Sequence, residues 1–211
     1  TKITILPRGR ALGYTMVMPM EDRYSISRNQ LLDQIAYAMG GRIAEEIVFK
    51  DPTTGASNDF EKATNIARTM VTKYGMSQKI GAMTIGTGTS EPFLGRELAT
   101  SASHSNEMAK QVDEEVSAIL DRALDEAYKA LTTNRVILDK LAKQLLEKET
   151  LNQDEIARIF KTVKKLPKRT TWKSSTKRTG TNRGPIAVPK RKVVQLEVLP
   201  EAAKPADEDA S

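Results

Sequence analysis

The chain has 211 residues, 39% apolar and 28% charged, with no cysteine and a single histidine, His104. That composition excludes a disulfide framework and any thiolate metal site, and one histidine cannot by itself supply the donors of a common zinc site. The formal net charge of +6 is unevenly placed: residues 161–192 carry 12 Lys and Arg and no acid, 193–211 carry five acids and one Lys, and 1–160 come to −2.

Length and charge together suggest one domain followed by a polar tail. No run of about 18 apolar residues occurs, so no stretch is long and apolar enough to cross a membrane as a helix. The opening Thr1-Lys2-Ile3-Thr4-Ile5-Leu6-Pro7 has no initiator Met and no signal-peptide layout. The expectation is a chain that begins inside a longer protein.

Residues 1–18 read as a β-hairpin. The Thr/Ile run Lys2-Ile3-Thr4-Ile5 alternates, Pro7-Arg8-Gly9-Arg10 supplies turn chemistry, and Gly13 to Met18 is a second β-prone run. Ser27 and Gln30 form a capping-box pattern ahead of a helix over 28–48. Its inward stripe is Leu32, Ile35, Ala36, Met39, Ile43 and Ile47. Gly40-Gly41 in its middle costs about 1 kcal/mol per glycine against alanine, which points to close approach of another backbone.

Residues 50–57 read as a loop, and Asn58 with Glu61 as the cap of a second helix. Its stripe is Phe60, Ala63, Ile66, Ala67, Met70, Val71 and Tyr74, and Gly75 suits a left-handed stop. Residues 84–105 read as a long mobile loop. Three helices are predicted beyond it, over 106–131, 134–147 and a short one capped by Asn152 and Glu155. Val112, Val116, Ile119, Ala123 and Ala127 should point inward from the first, and Ile137, Leu138, Leu141 and Leu145 from the second. Leu151 and Ile156 are placed as a hydrophobic staple across the start of the third. The methionines at 16, 18, 20, 39, 70, 76 and 83 read as core filler. The fold class is therefore mainly α: a helical bundle with a short N-terminal β-hairpin, and a disordered basic tail over 163–211.

Three stretches resemble the peptidase domain of FtsH-type ATP-dependent zinc metalloproteases. They are Ile5 to Tyr14, Gly40-Gly41-Arg42-Ile43-Ala44-Glu45-Glu46, and Thr53-Thr54-Gly55-Ala56-Ser57-Asn58-Asp59-Phe60 continuing to Tyr74-Gly75-Met76-Ser77. The resemblance covers residues 1–160 and nothing beyond 162. It implies a zinc endopeptidase that degrades membrane and cytoplasmic proteins. It also implies a homo-hexamer, an AAA+ module that uses ATP and Mg, and a membrane anchor holding the enzyme at the cytoplasmic face of a bacterial membrane. The family's metal site is a His-Glu-x-x-His helix plus an aspartate, and the resemblance places that aspartate at Asp59. Two His at i and i+4 share a helix face, and the Glu between them can activate a bound water. A third ligand leaves the fourth position open.

That helix is expected ahead of Thr1, so this chain alone is expected to bind zinc poorly and hydrolyse nothing. It then has no catalytic residue of its own, and Asp59 is its one metal ligand. Glu45 and Glu46 are rival acids: either could orient a zinc-bound His by accepting a hydrogen bond from its ring, or the two form a solvated pair. His104, among Ser101, Ser103 and Ser105, reads as an exposed loop residue. The strand 13–18 offers an edge for an extended substrate, or is an ordinary hairpin edge. The basic run 161–192 holds one aromatic, Trp172, and no recognition module, which argues against sequence-specific nucleic-acid readout. A solvated tail or contact with an anionic membrane surface remains. The alternative function is a catalytically dead helical module for assembly or adaptor binding.

Overall fold

Five helices and three short strands organise the described residues of the computed structural model, which are 1–7, 13–16, 25–85 and 105–175. All belong to one compact unit, Thr1–Arg178. Helix α1 spans Arg28–Phe49. Its start is the expected reciprocal pair: Ser27 Oγ accepts from the Gln30 N–H at 3.3 Å, and Gln30 Oε1 accepts from the Ser27 N–H at 2.8 Å. Two helix-end donors are thereby satisfied. Lys50, left-handed at φ 60°, ends the helix, its N–H reaching the carbonyls of Glu45 and Glu46.

Helix α2 spans Ser57–Thr72, and its start differs from expectation. Asn58 does not cap it. A 3-10 turn, Thr54–Ala56, runs straight into the helix, and the Ser57 N–H bonds the Thr54 carbonyl. The side-chain cap moves upstream to Thr53, whose Oγ1 accepts from the Gly55 N–H at 3.2 Å. Beyond α2, Gly75 adopts φ +59° as expected, and the Met76 N–H closes on the Met70 carbonyl at 2.9 Å.

Helix α3, Asn106–Thr133, is capped by Ser105, whose Oγ accepts from the Met108 N–H. Helix α4 spans Arg135–Lys148 and α5 spans Gln153–Phe160. The α5 capping box is made in full: Asn152 Oδ1 accepts from the Glu155 N–H and Glu155 Oε2 from the Asn152 N–H, both at 3.0 Å.

The main core lies between α1, α2 and α3. Leu32, Ile35, Met39 and Ile43 of α1 meet Ala63, Ala67, Met70 and Val71 of α2, and the predicted α3 stripe Val112 to Ala127. Ala63 and Ala67 are fully buried, and their small side chains let α2 lie close to its neighbours. Four expectations fail at the edges. Phe60 and Tyr74 are 37% and 57% exposed, and so are Met16 and Met83 at 43% and 46%. Phe60 lies in the first turn of α2, Tyr74 just past its end, Met16 at the end of β2, and Met83 in a stretch that is neither helix nor strand. Helix α4 buries no residue fully. Its Ile137, Leu141 and Leu145 are half-buried against a second cluster of Leu151, Ile156 and Ile159, joined by Ile3.

Strands β1 (Lys2–Thr4) and β2 (Tyr14–Met16) pair antiparallel as expected, Ile3 opposite Thr15. A third strand, β3 (Thr150–Leu151), was not foreseen and pairs with β1, giving the order β2-β1-β3. Two residues are too few for a period-2 signal. Buried Thr4 locks the pairing, its Oγ1 bonding Thr150 Oγ1 at 2.8 Å and the Glu149 carbonyl at 3.1 Å. Leu151 is thus both sheet residue and staple to Ile156, as the sequence places it.

Residues 163–175 form neither helix nor strand. They are nevertheless held. The Lys164 N–H and carbonyl both bond the Asn134 side chain, at 2.8 and 3.0 Å. Arg169 binds Glu126 and Asp33, and the Arg28 guanidinium lies 5.3 Å from the centre of the Trp172 ring. Predicted segments 8–12, 17–24, 86–104 and 176–211, with Met18, Met20 and His104, lie outside the described residues.

Two substitutions test this packing by denaturant unfolding. Leu151→Ala removes a fully buried side chain and should cost about 2–5 kcal/mol. Gly75→Ala forces a Cβ to 3.0 Å from Ala82 Cα at a left-handed φ and should cost at least about 1–2 kcal/mol. A loss under half a kilocalorie at either position would contradict the packing.

Candidate metal centre

Asp59 lies in the first turn of α2. The helix dipole favours a carboxylate at that end. Its side chain is 45% exposed and its nearest cation is Lys62, with Nζ 3.9 Å from Oδ1. At that distance and exposure the pair is weak, so the carboxylate remains open to another partner.

The residue faces a cleft of about 1370 Å³. Gly40 and Gly41 line it from α1, Thr15 from β2, and Leu138 from α4. A Cβ added at Gly40 or Gly41 would meet nothing within 4 Å. No described residue therefore uses the close approach these glycines permit. Their bare helical face opens on the same cleft as Asp59.

Glu45 positions the loop ahead of Asp59. Its Oε2 accepts from the Thr53 N–H at 3.0 Å and its Oε1 from the Thr53 hydroxyl at 2.8 Å. Both bonds favour the charged form, the backbone one most, so the Glu45 carboxyl is held below the ordinary glutamate range. Thr53 is also the cap of the 3-10 turn. The chain of contacts runs from α1 through Glu45 and Thr53 to the turn, and so to the start of α2. Glu46, expected on or beside the buried stripe, shares the face of Ile43 and Met39 but is exposed, in the last turn of α1 beyond the last buried residue, Ile43. Its neighbour is the acid with a structural partner.

A zinc ion needs three or more donors. Asp59 fits as one oxygen ligand by its exposure and fixed position. Among the described residues no three His, Cys, Asp or Glu side chains converge to complete a site. The remaining donors would have to come from elsewhere.

Arg169 also lines this cleft, which the sequence reading missed. It lay within a basic run assigned to a solvated tail, where no spacing or neighbour distinguishes it. Its partners Asp33 and Glu126 sit on separate helices.

The Glu45 anchor has a defined pH dependence. A carboxylate whose folded pKa is depressed contributes stability above its unfolded value, and loses it as pH falls through the folded value. Amide-exchange protection at Thr53 should therefore hold steady down to the ordinary glutamate value of 4.5 and fall only below it. Glu45→Gln should remove that step. Loss of protection already near about pH 6, above any ordinary carboxylate range, would rule Glu45 out as the anchor.

Residues 1–159 match the model of peptidase family M41. The chain is 50% identical over 204 residues to the ATP-dependent zinc metalloprotease FtsH of Cutibacterium acnes, covering 97% of this chain and 28% of that protein. It is 46% identical over 188 residues to the FtsH of Mycobacterium leprae, covering 89% and 24%. It is 48% identical over 159 residues to FtsH 1 of a Thermoanaerobacter species, covering 75% and 26%. The chain thus spans about a quarter of the length of these relatives. The two longer matches necessarily run past residue 162, so likeness to these relatives does not stop where the helices do. A family match over three quarters of the chain, with identities near one half, decides the matter: this chain belongs to peptidase family M41.

Proposed function

We propose that this chain is the C-terminal part of the peptidase module of an ATP-dependent zinc endopeptidase, and that Asp59 is its third protein ligand to zinc. The observation that carries the reading is the pairing of Asp59 with the bare Gly40-Gly41 face across one cleft. A His-Glu-x-x-His segment supplied from outside these 211 residues would pack on the bare glycine face and enter this cleft beside Asp59.

Zinc, when bound, would polarise the scissile carbonyl and make a bound water acidic enough to attack it. This chain's own residues prepare the place. Glu45 and Thr53 hold the turn that fixes Asp59. Strand β2 is an edge of the sheet, with Thr15 exposed and lining the cleft. An extended polypeptide can add to such an edge through main-chain hydrogen bonds. ATP and Mg bind in a separate module in this reading, and six copies form a ring anchored at the cytoplasmic face of a membrane. Among the described residues no helix is long and apolar enough to cross one. The substrates are membrane and cytoplasmic proteins, and the 211-residue chain alone is inactive.

The test uses the complete reading frame. The wild-type protein should hold zinc and cleave casein with ATP. Asp59→Ala should lower zinc affinity and cleavage by about 100-fold or more, since even residues that merely orient a ligand cost 10–100-fold. ATP hydrolysis should continue. Zinc retained at full turnover in that variant would remove Asp59 from the site. A complete protein that assembles, holds no zinc and cleaves nothing would instead establish the dead helical module.

A further inference from the structure

Residues 164–173 follow the last helix, yet three separate contacts tie them to the bundle. At the first, Asn134 takes both main-chain groups of Lys164, a donor and an acceptor, while its Nδ2 also reaches the Ala130 carbonyl. At the second, the Arg169 fork spans two helices. Its Nε and Nη2 bind Glu126 of α3, and its Nη1 binds Asp33 of α1 at 2.8 Å and the Asn29 carbonyl at 3.0 Å. Only 23% of this side chain is exposed. A planar guanidinium can serve three acceptors in fixed directions, which an ammonium cannot. At the third, Trp172 packs beneath Arg28 and the Gln78 amide reaches the Lys173 carbonyl.

Between the first and second contacts, Leu166, Pro167 and Lys168 line the same cleft as Asp59. Asp33, the α1 partner of Arg169, lies seven residues before Gly40, about 10 Å along the helix. The strap therefore stands at one end of the cleft and the bare glycine face further along it.

The charges at the strap end leave a net of +1, with Arg169, Lys129 and Lys168 against Asp33 and Glu126. Asp33 and Glu126 are engaged by Arg169. Lys129 and Lys168 also line the cleft, and among the described residues neither has an ion-pair partner. Lys168 is exposed.

We propose that residues 164–173 are a fixed strap forming one wall of the peptidase cleft, and that Lys168 on this strap biases the cleft toward polypeptides carrying acidic side chains. The proposal rests on the peptidase reading above. It also carries the folded body past residue 162 to at least residue 173.

Trp172 is the chain's only tryptophan, so its fluorescence reports the strap without any assay of cleavage. In the 211-residue chain, Trp172 should be shielded from acrylamide relative to the unfolded chain. Arg169→Gln should increase quenching, and Arg169→Lys should do so too, because it keeps the charge and loses the fork. Equal quenching in folded wild-type and unfolded chains would overturn the strap.

Selectivity is then read in the complete enzyme with two fluorogenic peptides that differ by one Glu or Lys away from the cleaved bond. Lys168→Glu should raise KM for the Glu peptide about threefold and lower it for the Lys peptide by a similar factor, as expected for one partly exposed charge. kcat should not move. A merely structural strap would change both peptides alike. Equal effects on the two, or none while the wild type cleaves both, would overturn the role of Lys168. Failure of the wild-type enzyme to cleave either peptide would overturn the peptidase reading and the selectivity with it, while the quenching result would still decide the strap.

Discussion

The burial of one face of α1 against α2 and α3 is the contact on which the rest depends. Ile35 is fully buried there, as are Ala63, Ala67, Met70 and Val71 across from it. Fully burying side chains of this size contributes about 1.5–3 kcal/mol each for the larger ones. Once that face is committed, the opposite side of α1, with Tyr37, Gly40 and Gly41, must face the cleft. The geometry of the candidate site is thus a by-product of helix periodicity: the buried stripe fixes which residues remain available.

The position of Asp59 follows from a short chain of polar contacts laid on that scaffold. A capping side chain alone would fix only the helix start. Glu45 does more, because it reaches from α1 to both groups of Thr53 and so ties the loop to the core helix. Two charge-assisted bonds are stronger than neutral ones, and they leave the loop little freedom to shift Asp59. In the zinc role proposed above, Asp59 on this fixed turn would lose less entropy on binding than a side chain on a free loop. The weak Lys62 contact completes this arrangement, since it can be given up readily.

The segment after α5 shows how far composition misleads when charge is read without position. Residues 161–192 are strongly basic and contain almost nothing to bury. Such a stretch should not form a core, and 163–175 form neither helix nor strand. It is held instead by polar contacts made one at a time, among them those of Arg169, whose side chain is 23% exposed. Glu126 foremost, and Asp33 after it, hold the Arg169 proton even more firmly than usual. A buried fork that meets two carboxylates avoids the penalty of an unpaired charge.

The sequence by itself determined the five helices, the capping boxes of α1 and α5, and the buried stripe of α3. These depend on residues within a few positions of each other: Ser27 with Gln30, Asn152 with Glu155, Val112 through Ala127. Its motifs also single out Asp59, the residue to which the proposed function gives the zinc. Tertiary structure decided what required residues far apart in the chain to meet. Strand β3 exists only because β1 lies beside it, with Thr4 and Thr150 bonded across 146 positions. Thr53 replaced Asn58 as the capping residue because a 3-10 turn entered α2 and Glu45 lay above it. Arg169 took its place because Asp33 and Glu126, on different helices, came to face the same point. Local backbone preference is written in neighbouring residues, whereas a charge pair or a two-residue strand is stabilised only after the chain has folded around it.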